Sequence, residues 1–262
     1  MSQQIVQVDS FTHTPFAGNP AGVCVMDDAA DENWMADVAR EMNLSETAFV
    51  YPIADGFHLR WFTPVVEVEM CGHATLAAAH VLYEDGHIAP DQQARFATMS
   101  GLLTAAKRDD LIELNFPAVP LDEVPAPPSL TDALGVSALG AARGQFDYLV
   151  EVASEEEVRS VRPDFDALSR QDARGFIVTA RGTSGEYDFV SRFFAPALGI
   201  DEDPVTGAAH CALGPYWAAR LGKAEFTAYQ ASARGGVVRV RVAGERVVLG
   251  GQAVTVMRGE LV

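Results

Sequence analysis

The stretch Ala74-Thr75-Leu76-Ala77-Ala78-Ala79-His80-Val81-Leu82-Tyr83 constrains this chain more than any other. Read as a helix it is apolar nearly all round, so it has no face to give to water and must be buried on every side. It is far too short to cross a membrane. Other elements must therefore wrap it, and its alanines leave room for strands to pack closely. A second stretch of the same kind, Cys211-Ala212-Leu213-Gly214-Pro215-Tyr216-Trp217, follows the polar turn Asp203-Pro204-Val205-Thr206-Gly207-Ala208-Ala209-His210. The first is likewise preceded by a polar turn, at Cys71-Gly72-His73.

The remaining pattern supplies the wrapping. Residues 3–9 alternate apolar and polar and predict a strand; 21–26, 48–51 and 57–62 predict three more. Asp31 is placed to cap a helix running to about Met42, with Trp34, Val38 and Met42 on one face. The buried helix is predicted to run from Gly72 to about Glu84, and 95–99, 102–107 and 111–116 read as a meander. Five prolines between 117 and 128 mark a domain boundary. Beyond it, 146–152, 175–181, 187–194, 226–231, 237–242, 247–249 and 253–258 predict strands. Ser154-Glu155-Glu156-Glu157 has the form of a capping box, and the second buried helix ends near Leu221.

The halves share one plan. Trp61-Phe62-Thr63-Pro64 is echoed by Phe193-Phe194-Ala195-Pro196, and Gly72 and Gly207 follow eight and eleven residues after the respective prolines. The expected fold is α/β (α+β): two pseudo-symmetric domains, residues 1–117 and 118–262, each a curved, mostly antiparallel sheet around a central helix. The last strand is free to cross back to the first domain.

Charge and cysteine content exclude several function classes. The formal net charge is −17 over 262 residues, which disfavours nonspecific binding to nucleic acid or anionic membrane. The N-terminal residues lack a signal-peptide pattern, so a cytoplasmic location is expected. Three cysteines without a CxxC, and six histidines without an HExxH, argue against a structural metal site. No Gly-rich nucleotide loop follows a strand, so a dinucleotide or nucleotide cofactor is not expected.

The chemistry concentrates at the two helix starts. A helix start presents unpaired N–H groups and a partly positive end, which suits an anionic ligand. Gly72, Thr206 and Gly207 read as backbone donors. Glu46, at the lip of a strand, is either a cap or surface carboxylate or a proton carrier whose pKa rises on desolvation. His73 is either a satisfied core histidine or a neutral hydrogen-bonding group, since the positive helix end disfavours imidazolium. Asp203 is either the cap of the second helix or a polar partner in the reaction. His80 and His210 fall within the apolar helices and read as core or supporting residues. Cys24 reads as core, and Cys211 points into the core.

Several motifs carry a resemblance. Val8-Asp9-Ser10-Phe11, Phe16-Ala17-Gly18-Asn19-Pro20-Ala21-Gly22-Val23, Asn43-Leu44-Ser45-Glu46-Thr47-Ala48-Phe49, Arg60-Trp61-Phe62-Thr63-Pro64, Cys71-Gly72-His73-Ala74-Thr75, Asp203-Pro204-Val205-Thr206-Gly207 and Gly250-Gly251-Gln252-Ala253-Val254 occur in order along nearly the whole chain. With them the chain resembles the PhzF-like (phenazine-biosynthesis) family, which shares the fold of diaminopimelate epimerase. The resemblance implies an isomerase without a cofactor, a cleft site between two domains, and a homodimer. It carries Glu46 over as acid/base, with His73 and Asp203 as its polar partners; the expected substrate-binding positions are Asn19, Ser45, Gly72, Thr206, Gly207 and Ala208. Position 208 is alanine where the motif commonly has serine, so a hydroxyl beside the substrate is missing.

The expected activity is proton transfer within a small carboxylate-bearing substrate. Two other readings predict different behaviour. A racemase or epimerase would depend on Cys71, where epimerase relatives place their first thiol, but a second thiol is absent just before Gly207. A non-catalytic metabolite-binding protein would bind a ligand without turning it over.

Overall fold

In the computed structural model, which describes residues 2–262, the chain forms two units. One comprises the residues through Phe116 together with Gly250–Val262, and the other Pro117–Leu249. The first contains β1 (Gln3–Ser10), β2 (Asn19–Val25), α1 (Glu32–Met42), β3 (Glu46–Ile53), β4 (Gly56–Phe62), β5 (Glu67–Val68), α2 (Gly72–Glu84), β6 (Ala94–Thr98), β7 (Gly101–Arg108) and β8 (Leu111–Pro117). The second contains β9 (Asp122–Val124), α3 (Pro128–Leu134), β10 (Gly140–Arg143), β11 (Asp147–Glu151), α4 (Glu155–Ser160), α5 (Phe165–Ser169), β12 (Gly175–Arg181), β13 (Phe189–Ala195), β14 (Ile200–Asp203), α6 (Gly207–Leu221), β15 (Glu225–Gln230), β16 (Gly236–Ala243) and β17 (Arg246–Gly251). The final strand, β18 (Ala253–Leu261), pairs antiparallel with β1 and so belongs to the first unit.

The strand pairings repeat. In the first unit β1–β2 is antiparallel, β2–β3 parallel, β3–β4 antiparallel, β4–β6 parallel and β6–β7 antiparallel. In the second, β10–β11, β11–β12, β12–β13, β13–β15 and β15–β16 follow the same order of senses. Each parallel pair needs a crossover. Helix α1 supplies the first crossover and α2 the second; α4 with α5, and then α6, do the same in the other unit. This shared order supports the internal duplication far better than the short sequence echo does. Each unit is mixed α/β with mostly antiparallel strands.

Helix α2 is buried from His73 through Ala79 and again from Val81 through Tyr83, and it packs against β1, β2, β3, β7 and β18. Gly251, the last residue of β17 and already part of the first unit, lies close against this helix: a Cβ there would lie 2.4 Å from Phe11 and 2.8 Å from Leu76 of α2. Helix α6 packs on β16, and Trp217 stacks on Phe189 at 5.8 Å while its indole donates to Thr179 Oγ1 at 3.1 Å. Pro215 lies inside α6 and lacks the N–H that would bond the carbonyl of Cys211. Val119 donates its backbone N–H to that carbonyl at 3.0 Å, so the gap in the helix is filled by the segment after Pro117.

The proline-rich segment is more structured than a linker. It holds β9, which pairs with β10, and it ends by opening α3, with Pro127 as the cap and Pro128 at the first helical position. Proline fits there because that N–H has no helical partner and φ is already set. The short elements β5, β10, β14 and α5 were also not predicted, being too brief to show a period.

Candidate active site

The chain reaches α2 through a tightly held loop. Arg60 on β4 grips Glu67 with two parallel bonds, Nε to Oε1 at 2.7 Å and its terminal nitrogen to Oε2 at 2.6 Å. Thr63 Oγ1 accepts the N–H groups of Val65 and Val66 at 3.1 and 2.9 Å. Cys71 then stands at the N-cap in extended conformation, and Thr75 Oγ1 donates to its carbonyl at 2.5 Å. Ser10 Oγ donates to the carbonyl of His73 at 2.8 Å, tying the first helical turn to β1. Beside it, the buried Asp9 accepts the N–H of Phe16 at 2.7 Å. Gly18 closes this loop at φ +65°, where a Cβ would meet the Ser10 carbonyl oxygen at 2.2 Å.

Glu46 opens β3, which lies parallel to β2 with Glu46 opposite Ala21. Its Oε2 stands 3.2 Å from Nε2 of His73, the side chains being only 13% and 6% exposed. On the other side of the ring, Nδ1 of His73 lies 3.5 Å from Cys71 Sγ. Burial drives the His73 pKa down to about 3, against the opposing pull of a hydrogen bond to the Pro20 backbone. The imidazole is therefore neutral at physiological pH. Burial, rather than the helix end, is the main cause of this lowering. A carboxylate oxygen, an imidazole nitrogen and a sulfur thus lie within 4.8 Å of one another.

The second helix start has its own network. Thr206 caps α6 in extended conformation, and its Oγ1 donates to Asp203 Oδ2 at 2.5 Å. Fully buried Gln230 accepts the Thr206 N–H at 2.8 Å and donates to the Asp203 carbonyl at 2.7 Å. This corrects one expectation: the Thr206 N–H is engaged by Gln230 and is not offered to an anion. Gly207 and Ala208 occupy the next two positions, whose N–H groups have no intrahelical acceptor. His210 donates from Nδ1 to the Thr206 carbonyl at 2.8 Å. Cys211 is buried, and burial pushes its thiol up to about 12, so it supplies no acid/base partner for Cys71.

Of the predicted site residues, Glu46, His73 and Gly72 come together in the first unit. Ser45 immediately precedes Glu46 and is half-buried; Asn19 begins β2 and is fully buried. Asp203, Thr206, Gly207 and Ala208 cluster in the second unit. Sequence reasoning missed Gln230, Ser10 and Arg60 as supports. Gln230 had one signal, an amide at an inward-facing position of a strand whose neighbouring inward residues are Phe226 and Ala228.

The sequence profile of the phenazine biosynthesis-like protein family matches residues 8–259. The chain is 54% identical over 262 residues to an uncharacterized isomerase of Halalkalibacterium halodurans, covering 100% of this chain and 99% of that one. It is similar to a crystal structure of a PhzF-family phenazine biosynthesis protein from Enterococcus faecalis, at 41% identity, full coverage of both chains and a TM-score of 0.96. A probable proline racemase from Agrobacterium radiobacter shares the fold at 13% identity and a TM-score of 0.64, covering 99% of this chain and 93% of that one.

Proposed function

The chain belongs to the phenazine biosynthesis-like family, and we propose that it is an isomerase that moves a proton within a small carboxylate-bearing substrate without a cofactor. One observation carries this reading: the Glu46 carboxylate stands 3.2 Å from a buried, neutral imidazole at the start of α2. Glu46 takes a proton from a carbon beside the substrate's acceptor group and returns it elsewhere on the same molecule. His73 stays neutral and orients a polar group rather than competing as a base. The N–H groups of the first turn of α2 offset negative charge as it develops on the substrate. Asp203, Gly207 and Ala208 are proposed to complete substrate binding, with Asn19 and Ser45 shaping the surroundings of Glu46.

The test is a panel of cyclic and α-amino carboxylates incubated with the protein in D₂O and read by mass spectrometry. Wild type is expected to introduce deuterium into at least one compound, and Glu46→Gln to lose that exchange. Equal exchange by both proteins would reject Glu46 as the base. Loss in Cys71→Ser with retention in Glu46→Gln would point instead to thiol chemistry.

A further inference from the structure

We propose that Glu46, His73 and Cys71 form a site for one borderline-soft divalent cation, zinc foremost, whose binding blocks proton transfer. Two independent features point to it. The first is the donor set: one carboxylate oxygen, one ring nitrogen and one sulfur, all within 4.8 Å. The second is the orientation of His73. Its side chain is 6% exposed, yet Nε2 makes no aligned hydrogen bond among the described residues, although it faces Glu46 Oε2 at 3.2 Å.

The distances suit zinc. With Zn–N, Zn–O and Zn–S bonds of about 2.0–2.3 Å, adjacent donors of a tetrahedral site stand about 3.2–3.7 Å apart. The Nε2–Oε2 pair already has that spacing. The sulfur now lies by Nδ1, on the other edge of the ring, and must turn about its Cα–Cβ bond to join. That turn exchanges the sulfur's 3.5 Å contact with Nδ1 for a bond to the metal. A mixed S, N, O set selects zinc, cobalt(II) or cadmium over magnesium or calcium, which want six or more oxygens or retained waters.

The chemistry balances without a redox partner. The thiol S–H bond breaks as the S–metal bond forms, and the proton leaves to solvent. The metal then occupies the lone pairs that Glu46 and His73 use in the proposed reaction, so proton and cation compete. The binding half of the inference stands without any catalytic role for Glu46; the blocking half rests on that role.

Cobalt(II) titration of the full-length, chelator-treated protein tests the binding. One equivalent per chain is expected, with a thiolate-to-cobalt absorption band that zinc abolishes by displacement. Cys71→Ser should lose the band, and His73→Asn should weaken binding. Absence of the band in folded wild type overturns the site, as does a band that survives Cys71→Ser. A second arm adds one equivalent of zinc to the deuterium-exchange panel. Exchange by wild type is expected to stop and to return on chelation. Exchange that persists with zinc bound through Cys71 overturns the blocking role, whereas exchange surviving in metal-free Glu46→Gln rejects the catalytic reading itself.

Discussion

Gln230 accepts the backbone N–H of Thr206 at 2.8 Å and donates to Thr206 Oγ1 at 3.1 Å. The direction of these bonds has a consequence. Because Thr206 Oγ1 receives a proton from the amide, its own proton is free to point at Asp203 Oδ2, 2.5 Å away. Asp203 Oδ2 is thereby fixed as an acceptor. One fully buried amide holds both the cap of α6 and the carboxylate beside it.

Gln230→Leu removes this amide without changing its size much. It removes the bonds that Gln230 gives the part-buried Thr206 N–H and Asp203 carbonyl, and losing such a partner costs about 1–3 kcal/mol where water does not replace it. We expect a loss of at least ~1 kcal/mol, read from urea unfolding midpoints. An unchanged midpoint would show that water replaces the amide and that Gln230 does not organise the turn.

Arg60→Lys keeps the charge but loses the planar fork on Glu67. Both side chains are less than one-fifth exposed, so this pair is not a solvent-screened surface contact. Bidentate bonds of this kind are not reproduced by a lysine. The loop from Thr63 to Met70 should then exchange its amide hydrogens faster, and stability should drop by about 1.5–3 kcal/mol, the range for a hydrogen bond to a charged group. Unaltered exchange in that loop would mean that Thr63 alone sets its shape.

Gly251→Ala tests the packing around α2. The added methyl would come within 2.4 Å of Phe11 and 2.8 Å of Leu76, both fully buried. Overpacking of a filled core costs about 1–3 kcal/mol. Thermal unfolding should show it; a variant as stable as wild type would mean that Phe11 can move aside at no cost.

Ala208→Ser restores the hydroxyl that the family motif commonly carries. Position 208 is half-buried at the second residue of α6, where serine is well tolerated. Stability should change by less than about 0.5 kcal/mol, while the set of compounds exchanged in D₂O should shift. An identical set would remove position 208 from substrate selection.

What the sequence made legible follows from where the information is local. Asp31 caps α1, which ends at Met42, and α2 runs from Gly72 to Glu84, both as predicted, because caps and all-round apolarity are written in neighbouring residues. Ser154 likewise accepts the N–H of Glu157 at 3.1 Å, as its capping pattern implies. Helix α3 was hidden because prolines that serve as its first turn also read as a linker. Glu46 and His73 lie far apart in sequence, and only the motif resemblance put them in one list. Gln230 could not be joined to Thr206 at all, since β15 reaches α6 through a fold-wide register that no short pattern encodes.

The buried histidine of α6 gives a prediction about pH. His210 is fully buried, and its Nδ1 carries the proton donated to the Thr206 carbonyl. The neutral ring therefore leaves Nε2 bare, and that atom has no hydrogen-bond partner among the described residues. Protonating it would bury a charge beside the Phe189 ring, 6.2 Å from centroid to centroid. Burial accordingly lowers the His210 pKa to about 4, although the bond to Thr206 pulls upward. In the unfolded chain the same group titrates near 6.5. Above that value neither state binds the proton, and stability is unaffected. Between about 6.5 and 4 the unfolded chain is protonated and the folded one is not, so falling pH favours unfolding. At 1.36 kcal/mol per pH unit, the loss across this window is ~3 kcal/mol. His210→Gln removes the contribution whatever its effect at neutral pH. Urea unfolding of both proteins at pH 7, 5.5 and 4 should therefore show a shallower decline for the variant. Parallel declines would mean that His210 gains its proton in the folded state as readily as in the unfolded chain, and that burial does not hold it neutral.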